Sequence, residues 1–137
     1  MKKTTNLVWG GRFEYDSSDI LKRINNSISF DYNLAHQDIK LNKQYAKSLF
    51  KAKILSENEL KKINVALDDI YLEIKKKKFK FSDDFEDIHM NIEMALRKRV
   101  GRLAGKLHTG KSRNDQVATD VKLWTKEKIK NVIDKIK

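Results

Sequence analysis

The sequence predicts an all-α protein, and three observations support that prediction. Its 137 residues contain no proline and only five glycines, whereas all-β folds need many turns rich in both. Apolar residues recur at alternating intervals of three and four, the spacing of one helix face, in several stretches. Residue types that cap helices stand before these stretches. The length suits one unit with a real hydrophobic core.

The chain is predicted to be mostly irregular up to residue 30. Trp9–Phe13 is typical of a turn with aromatic anchors, and Ser18–Asn25 fits a short helix. Residues 31–54 then fit a longer helix. The apolar members of that helix are Leu34, Ile39, Ala46, Leu49, Phe50 and Ile54.

The clearest helix start is a capping box at residues 56–59. Ser56 can accept the backbone N–H of Glu59, and the Glu59 side chain can reach back to the N–H of Ser56. An apolar stripe follows, and the lysines after it suit the negative end of a helix dipole. The stripe consists of Leu60, Ile63, Leu67, Ile70 and Ile74.

Two further helices are predicted after a break over residues 79–85. The acidic run that ends at Asp87 suits the start of the first helix. Its apolar members are Ile88, Ile92, Ala95, Leu96, Val100 and Leu103. A polar connector over residues 105–114 leads to the last helix, which Asn114 or Asp115 can cap. The residues predicted to face inward there are Val117, Val121, Trp124, Ile129, Val132 and Ile136.

The last helix carries no stop signal, and its apolar stripe runs to the end of the sequence. A long amphipathic helix needs a partner to cover that stripe. We therefore expect the chain to be part of a larger architecture or to form oligomers.

Composition excludes several classes of protein. The absence of cysteine excludes disulfide scaffolds, thiolate metal sites and cysteine nucleophiles. The net charge is +11, but the lysine runs at residues 75–80 and 121–137 fit solvated faces better than a nucleic-acid site. No apolar run approaches the length of a membrane span, and residues 1–9 do not form a signal peptide.

The densest polar stretch, Gly105–Gln116, suits an anionic or carboxylate-bearing ligand. Arg113 can grip a carboxylate with two parallel hydrogen bonds, and the following helix start adds partial positive charge. The stretch also fits the phosphate-loop pattern up to Ser112, but the residues before it are helical in pattern rather than a buried strand. A nucleotide site is therefore the weaker interpretation.

Other candidate groups have structural explanations beside functional ones. His89 and Glu93, spaced i and i+4, could ligate a metal, but a core histidine is favoured. His108 is a candidate acid or base, or a structural donor. Ser27 and Asp31 read as a polar turn in which Asp31 can cap a helix.

Three blocks together resemble the argininosuccinate lyase family of the fumarase/aspartase superfamily. They are Trp9–Phe13, the Glu-Asp-Ile-His run at 86–89 followed by Glu93, and Gly105–Asp120. The resemblance covers essentially the whole chain and implies an all-α fold. It divides the chain into an N-terminal helical domain, residues 1–108, and the start of a central helical bundle, residues 109–137. It further implies a cytoplasmic homotetramer in which each active site draws on three subunits.

The implied reaction is the reversible elimination of argininosuccinate to arginine and fumarate, a step of arginine biosynthesis, without a metal or organic cofactor. By resemblance, Ser112, Arg113 and Asn114 bind substrate around the carboxylate, and Ser27 and Asn114 contact its arginine portion. The positions near the site are Asp31, Asp87, His89 and Thr109. Lys111 stands where many family members have arginine.

The family's serine-base loop (G-S-S-x-M-P-x-K-x-N-P) and its Thr-His segment do not occur in the sequence. No catalytic residue is therefore assigned within the chain, and we expect it to be inactive alone. One alternative is a non-catalytic helical protein that assembles with a lyase or with a separate C-terminal piece. Another is a sister fumarate-releasing enzyme such as adenylosuccinate lyase.

Overall fold

The computed structural model describes residue 20 and residues 24–137. Within that part of the chain every regular element is helical, which confirms the all-α prediction. The elements are α1 (Ile28–Asp31), a 3-10 turn (Tyr32–Leu34), α2 (Ala35–Lys51), α3 (Glu57–Lys75), α4 (Ile88–Val100), α5 (Leu103–Lys106) and α6 (Arg113–Ile136). The predicted turn at Trp9–Phe13 and most of the predicted helix at Ser18–Asn25 lie outside the described residues.

The predicted capping box begins α3. Ser56 Oγ accepts the backbone N–H of Glu59 at 3.3 Å, and Glu59 Oε2 accepts the N–H of Ser56 at 2.8 Å. The centre of the predicted stripe is completely buried against α2 and α4. The buried stripe residues are Ile63, Leu67 and Ile70, with Leu60 and Ile74 partly buried at its ends.

The helix predicted over residues 31–54 is shorter in the structure. Tyr32–Leu34 form a 3-10 turn, so α2 begins at Ala35. The chain leaves α2 after Lys51 and turns through Lys53, whose φ is 60°. This turn reverses the chain so that α3 packs against α2.

Two carboxylates cap the start of α4. Asp87 Oδ1 accepts the N–H of Met90 at 2.6 Å, as the acidic run predicts. Asp31 accepts the N–H of Ile88 at 3.2 and 3.3 Å, so it caps α4 rather than its own helix. The helix ends at Gly101, whose φ of 62° favours glycine.

The start of α6 differs from the prediction. Ser112, not Asn114 or Asp115, is the N-cap, and the helix begins at Arg113. Asp115 completes a capping box, because its Oδ2 accepts the N–H of Ser112 at 3.2 Å. Several good capping residues stand side by side here, so residue preferences alone do not select among them.

The predicted inward stripe of α6 is wrong for this chain. Val117, Val121, Ile129, Val132 and Ile136 are 38–79% exposed. The buried residues are Gln116 and Asp120, and Trp124 is partly buried. Every residue after Trp124 is exposed. The second half of α6 meets α2 through a hydrogen bond that Gln37 Nε2 donates to Glu127 Oε2 at 2.9 Å. None of the described helices combines the length and apolar character needed to cross a bilayer.

Candidate functional site

The loop before α6 rests on one face of α2. Tyr45 Oη donates to the carbonyl of Thr109 at 2.7 Å, and Lys111 Nζ donates to Asn42 Oδ1 at 2.8 Å. The Lys111 ammonium also lies 5.4 Å from the centre of the Tyr45 ring, within cation–π range. Gly110 lies between these contacts with φ of 69°, which favours glycine. The loop is therefore held at two points just before the predicted ligand-binding residues.

Arg113 lies between the start of α4 and the first turn of α6. Its Nη2 donates to Glu93 Oε2 at 3.3 Å, and its Nε lies 3.6 Å from Asp87 Oδ2. Nη1 donates to Gln116 Oε1 at 2.9 Å. The guanidinium remains about one-third exposed, so solvent or a ligand can reach it. A carboxylate ligand would compete with Asp87 and Glu93 for these donors.

Ser112 and Asn114 flank Arg113 and are both exposed. Ser112 Oγ accepts the backbone N–H of Asn114 at 3.2 Å. They stand at the first turn of a 24-residue helix, where the helix dipole favours negative charge. The arrangement suits a ligand that presents a carboxylate to the helix start.

Ser27 and Asp31 join the site through α4. Ser27 Oγ donates to Asp31 Oδ2 at 2.6 Å, and the Ser27 backbone N–H donates to the carbonyl of Glu86 at 2.8 Å. Asp31 in turn accepts the N–H of Ile88, next to the Asp87 that faces Arg113. The structure thus places Ser27, Asp31, Asp87 and Arg113 along the N-terminal end of α4, although they are far apart in sequence.

His89 is a buried core histidine, the interpretation favoured from sequence. Its Nδ1 lies 2.9 Å from Asp38 Oδ1 and 3.4 Å from Asp120 Oδ2. It is not paired with Glu93, which faces Arg113 and lies 3.7 Å from His108 Nδ1. The alternative that sequence spacing left open, a metal pair of His89 and Glu93, is therefore not formed.

A buried polar cluster around Asp38 is the main feature that the sequence interpretation missed. Both Asp38 and Asp120 have 0% exposure. Asp38 accepts hydrogen bonds from Asn42 Nδ2 at 2.9 Å and from Gln116 Nε2, besides its contact with His89. The available signal was a pair of polar residues four apart on each of two helices, Asp38 with Asn42 and Gln116 with Asp120.

The pKa values of the two aspartates in this cluster are shifted in opposite directions. Burial acts to raise the pKa of Asp38, but the hydrogen bond and charge of His89, with Gln116 and Lys111, hold it below its usual value. Burial and the charge of Asp38 raise the pKa of Asp120 to about 8. Among the described residues, none donates a hydrogen bond to either Asp120 oxygen. Asp120 is therefore the group in the cluster that favours its protonated form near neutral pH.

The same cluster offers one donor atom each from Asp38, His89 and Asp120, all within 4.8 Å of one another. Nitrogen and oxygen donors of this kind are ligands for divalent transition metals. Asp38 Oδ1, which a metal would need as a ligand, already accepts a hydrogen bond from Gln116 Nε2. The geometry is equally that of a hydrogen-bonded core cluster.

The phosphate-loop pattern does not form a phosphate loop. Its first glycine, Gly105, lies within α5 and donates its N–H to the carbonyl of Arg102 at 3.1 Å. The N–H of Lys111 donates to the carbonyl of His108 at 3.2 Å. Helices, and no described strand, precede the loop, so the nucleotide interpretation is wrong.

Comparisons with known proteins find similar sequences of one kind. The chain is 51% identical over 128 residues to an argininosuccinate lyase of Ehrlichia ruminantium, covering 93% of this chain and 28% of that protein. It is 44% identical over 130 residues to an argininosuccinate lyase of Bacillus anthracis, with 95% and 28% covered. It is also 44% identical over 136 residues to argininosuccinate lyase 1 of Mesorhizobium japonicum, with 99% and 29% covered.

The chain thus spans little more than a quarter of the length of these curated relatives. A family model described as "Lyase" matches residues 11–137, which include all the site residues described above. The chain belongs to this lyase family.

Proposed function

We propose that the chain forms the N-terminal part of an argininosuccinate lyase and supplies part of its substrate-binding site. The observation that carries the proposal is the Ser112, Arg113 and Asn114 cluster at the start of α6, within a region 44–51% identical to argininosuccinate lyases. Arg113 is reachable from solvent and lies against Asp87. Such a site fits a substrate rich in carboxylates that also carries a guanidinium.

The proposed reaction is an elimination that releases arginine and fumarate. A base removes the proton from the carbon beside a substrate carboxylate, and the negative charge spreads onto that carboxylate. The bond between carbon and the guanidinium nitrogen then breaks. Arg113 and the helix start would stabilise the developing charge, since preorganised donors act most strongly where charge appears. Ser27 and Asn114 would contact the arginine portion.

Four further residues belong to the proposal with different roles. Asp87 would orient Arg113, with which it makes an ion pair. Asp31 would fix the orientation of Ser27, because Asp31 Oδ2 accepts a hydrogen bond from the Ser27 hydroxyl at 2.6 Å. His89 and Thr109 lie behind the loop, His89 in the buried cluster and Thr109 bonded through its carbonyl to Tyr45. These two would support the site rather than touch the substrate.

The proposal requires protein segments that the sequence does not contain. The serine-base loop and the Thr-His segment of the family are absent from the 137 residues. We propose a division at residues 108 and 109, with 109–137 beginning a helical bundle in a cytoplasmic homotetramer. The exposed apolar residues of α6 support an assembly of that kind, because they have no cover within the described part of the chain.

A chimera tests the proposal. The chain replaces the matching segment of the Ehrlichia ruminantium enzyme, and fumarate release from argininosuccinate is followed by ultraviolet absorbance. We expect an active enzyme in which Arg113→Gln lowers kcat/KM by about 100-fold or more, the usual cost of losing one charge-stabilising donor. The matched control is Arg97→Gln, an exposed arginine of α4. A folded chimera without activity, or equal effects of both substitutions, would reject the proposal.

A second candidate function is non-catalytic assembly with a lyase. The observation that favours it is again the uncovered half of α6. Co-purification of the chain with the rest of a lyase, without a gain in fumarate release, would support this candidate. Fumarate formation by the purified chain alone would contradict both the assembly candidate and the expectation of an incomplete site.

A further inference from the structure

We propose that Lys111 is a positioning residue that fixes the substrate-binding segment by joining it to the buried Asp38 cluster. The proposal rests on the proposed function for the role of Ser112, Arg113 and Asn114, but the geometry it describes is independent of that role. Lys111 is not among the residues predicted to touch the substrate.

The two ends of one short segment are attached to the same carboxylate. At one end, Lys111 Nζ donates to Asn42 Oδ1 at 2.8 Å, and Asn42 Nδ2 donates to Asp38 Oδ2 at 2.9 Å. At the other end, Gln116 Nε2 donates directly to Asp38 Oδ1. The segment 111–116 is thus clamped at both ends onto α2. Ser112, Arg113 and Asn114 lie between the clamped ends.

Burial makes these attachments strong. Asp38, Asn42 and Gln116 have at most 4% exposure, and hydrogen bonds to a charged group in such surroundings are among the stronger ones in proteins. Breaking one leaves a polar group buried without a partner, which is costly. The clamp therefore resists small displacements of the loop.

The Lys111 ammonium also balances the charge of the cluster. Burial lowers the pKa of Lys111, and the charges of Asp38, Glu93 and Asp120 act in the opposite direction. Asp38 is a fully buried carboxyl group whose pKa is held below its usual value, and the Lys111 ammonium contributes to offsetting its negative charge. A neutral residue at position 111 would lose both the hydrogen bond and this compensation.

For catalysis, the position of the substrate-binding residues matters more than the Lys111–Asn42 hydrogen bond itself. A misplacement of about 1 Å in a substrate-binding group can cost about 100-fold in rate. Lys111 is joined to Ser112 by one peptide bond. Loss of the hydrogen bond that holds the Lys111 side chain would therefore allow the backbone of Ser112 to move. We therefore expect loss of Lys111 to weaken substrate binding without removing any group that touches substrate.

The first test uses the chain itself. Backbone amide resonances of Ser112–Asn114 are recorded by NMR in the chain, in Lys111→Met, in Lys111→Arg and in the control Lys43→Met. Lys43 is on the same helix as Asp38 but makes an exposed ion pair with Asp68. We expect Lys111→Met to shift these resonances, Lys111→Arg to restore them towards the original positions, and Lys43→Met to leave them in place.

The second test uses the chimera. We expect Lys111→Met to raise KM by about tenfold, with a smaller change in kcat and with recovery in Lys111→Arg; tenfold is the scale of one modest interaction. Asn42→Ala breaks the same bridge while keeping the lysine charge, and it serves if Lys111→Met does not fold. Unchanged amide resonances and unchanged KM in these variants would overturn the proposal.

Two outcomes separate this proposal from its alternatives. If the unmodified chimera is inactive, the proposed function fails, while the amide resonances still decide whether Lys111 fixes the segment. If stoichiometric Mn²⁺ selectively broadens the resonances of residues around His89 and Asp120, and Asp120→Asn abolishes the effect, the cluster takes a metal cation. Lys111 would then not be its counter-charge, and the charge-compensation part of the proposal would be overturned.

Discussion

The two halves of α6 differ in a way that their polarity alone does not predict. In residues 113–124 the buried side chains are Gln116 and Asp120, which are polar. In residues 125–136 every side chain is exposed, including Ile129 at 54% and Ile133 at 46%. The first half is held by hydrogen bonds and charge around Asp38, and the second half has a conspicuous apolar surface without cover in the described chain.

The comparison separates two sources of helix stability. A buried polar side chain is tolerated when its partners are fixed by other helices, and its loss is then costly. An exposed apolar side chain contributes little until a partner covers it. Substitutions in the two halves should therefore have very different effects on the free energy of unfolding.

The largest effect is expected from Asp38→Ala. It removes the acceptor used by Asn42, His89 and Gln116 and should lower the free energy of unfolding by about 3 kcal/mol or more, the usual cost of breaking a buried charged network. Urea unfolding followed by circular dichroism measures the change. The control is Asp68→Ala, which breaks only an exposed ion pair and should cost less than about 1 kcal/mol. Equal effects would remove the distinction between the two kinds of contact.

The next largest effect is the contribution of Asp120 to the pH dependence of the free energy of unfolding. Its pKa is raised to about 8 in the folded chain, from the ordinary value of 3.8 for an aspartate. The folded chain therefore binds the proton more tightly than the unfolded chain. This stabilisation is complete below pH 3.8 and is lost as the pH rises through about 8.

Between pH 5 and 8, Asp120 should lower the free energy of unfolding by up to about 1.4 kcal/mol per pH unit. Asp120→Asn should flatten that slope, because the amide does not titrate. Asp38 titrates below this range, since its pKa is lowered. Urea titrations of both proteins at several pH values measure the difference. Parallel slopes would show that Asp120 is ionised in the folded chain.

A smaller effect is expected at the helix start. Ser112→Ala removes the N-cap of α6 and should cost about 1 kcal/mol. Ser56→Ala, the N-cap of α3, is the matched control because both serines belong to capping boxes. Thermal unfolding compares the two. If Ser112→Ala costs much less, the start of α6 is held mainly by Gln116 and the loop contacts rather than by its cap.

The smallest effect is expected in the second half of α6. Ile133→Gln should change the free energy of unfolding by no more than about 0.5 kcal/mol, as for other exposed positions. Equilibrium sedimentation of the same variant tests whether the residue is covered by another copy. A loss of stability above about 2 kcal/mol, together with weaker association, would show that this half is buried in an assembly.

Local signals in the sequence predict much of the fold. The Ser56 capping box, the stripe through Ile63 and Leu67, and Asp87 at the start of α4 each depend on residues within two helical turns, so spacing is sufficient to find them. Family resemblance points to Ser27 and Asp87, and the chemistry of the polar stretch before α6 also indicates Arg113. The structure places these three residues around the start of α4.

The rest depends on long-range pairing. Asp38 contacts His89 and Gln116, which are 51 and 78 residues away in sequence. The spacing of Asp38 and Asn42 places both on one helix face but does not show that other helices bury that face. The apolar stripe of α6 predicts an inward face, but its valines and isoleucines are exposed in both halves of the helix. Burial there is decided by which elements reach the helix, and the periodicity of α6 contains no information about that.

The bond between Asp31 and the N–H of Ile88 has a consequence for motion. The acceptor and the donor lie 57 residues apart, so this amide is protected by a different helix rather than by its own. Exchange of the Ile88 amide hydrogen with deuterated solvent requires α1 to move away from α4. Its exchange rate therefore measures how often the segment that carries Ser27 leaves the start of α4.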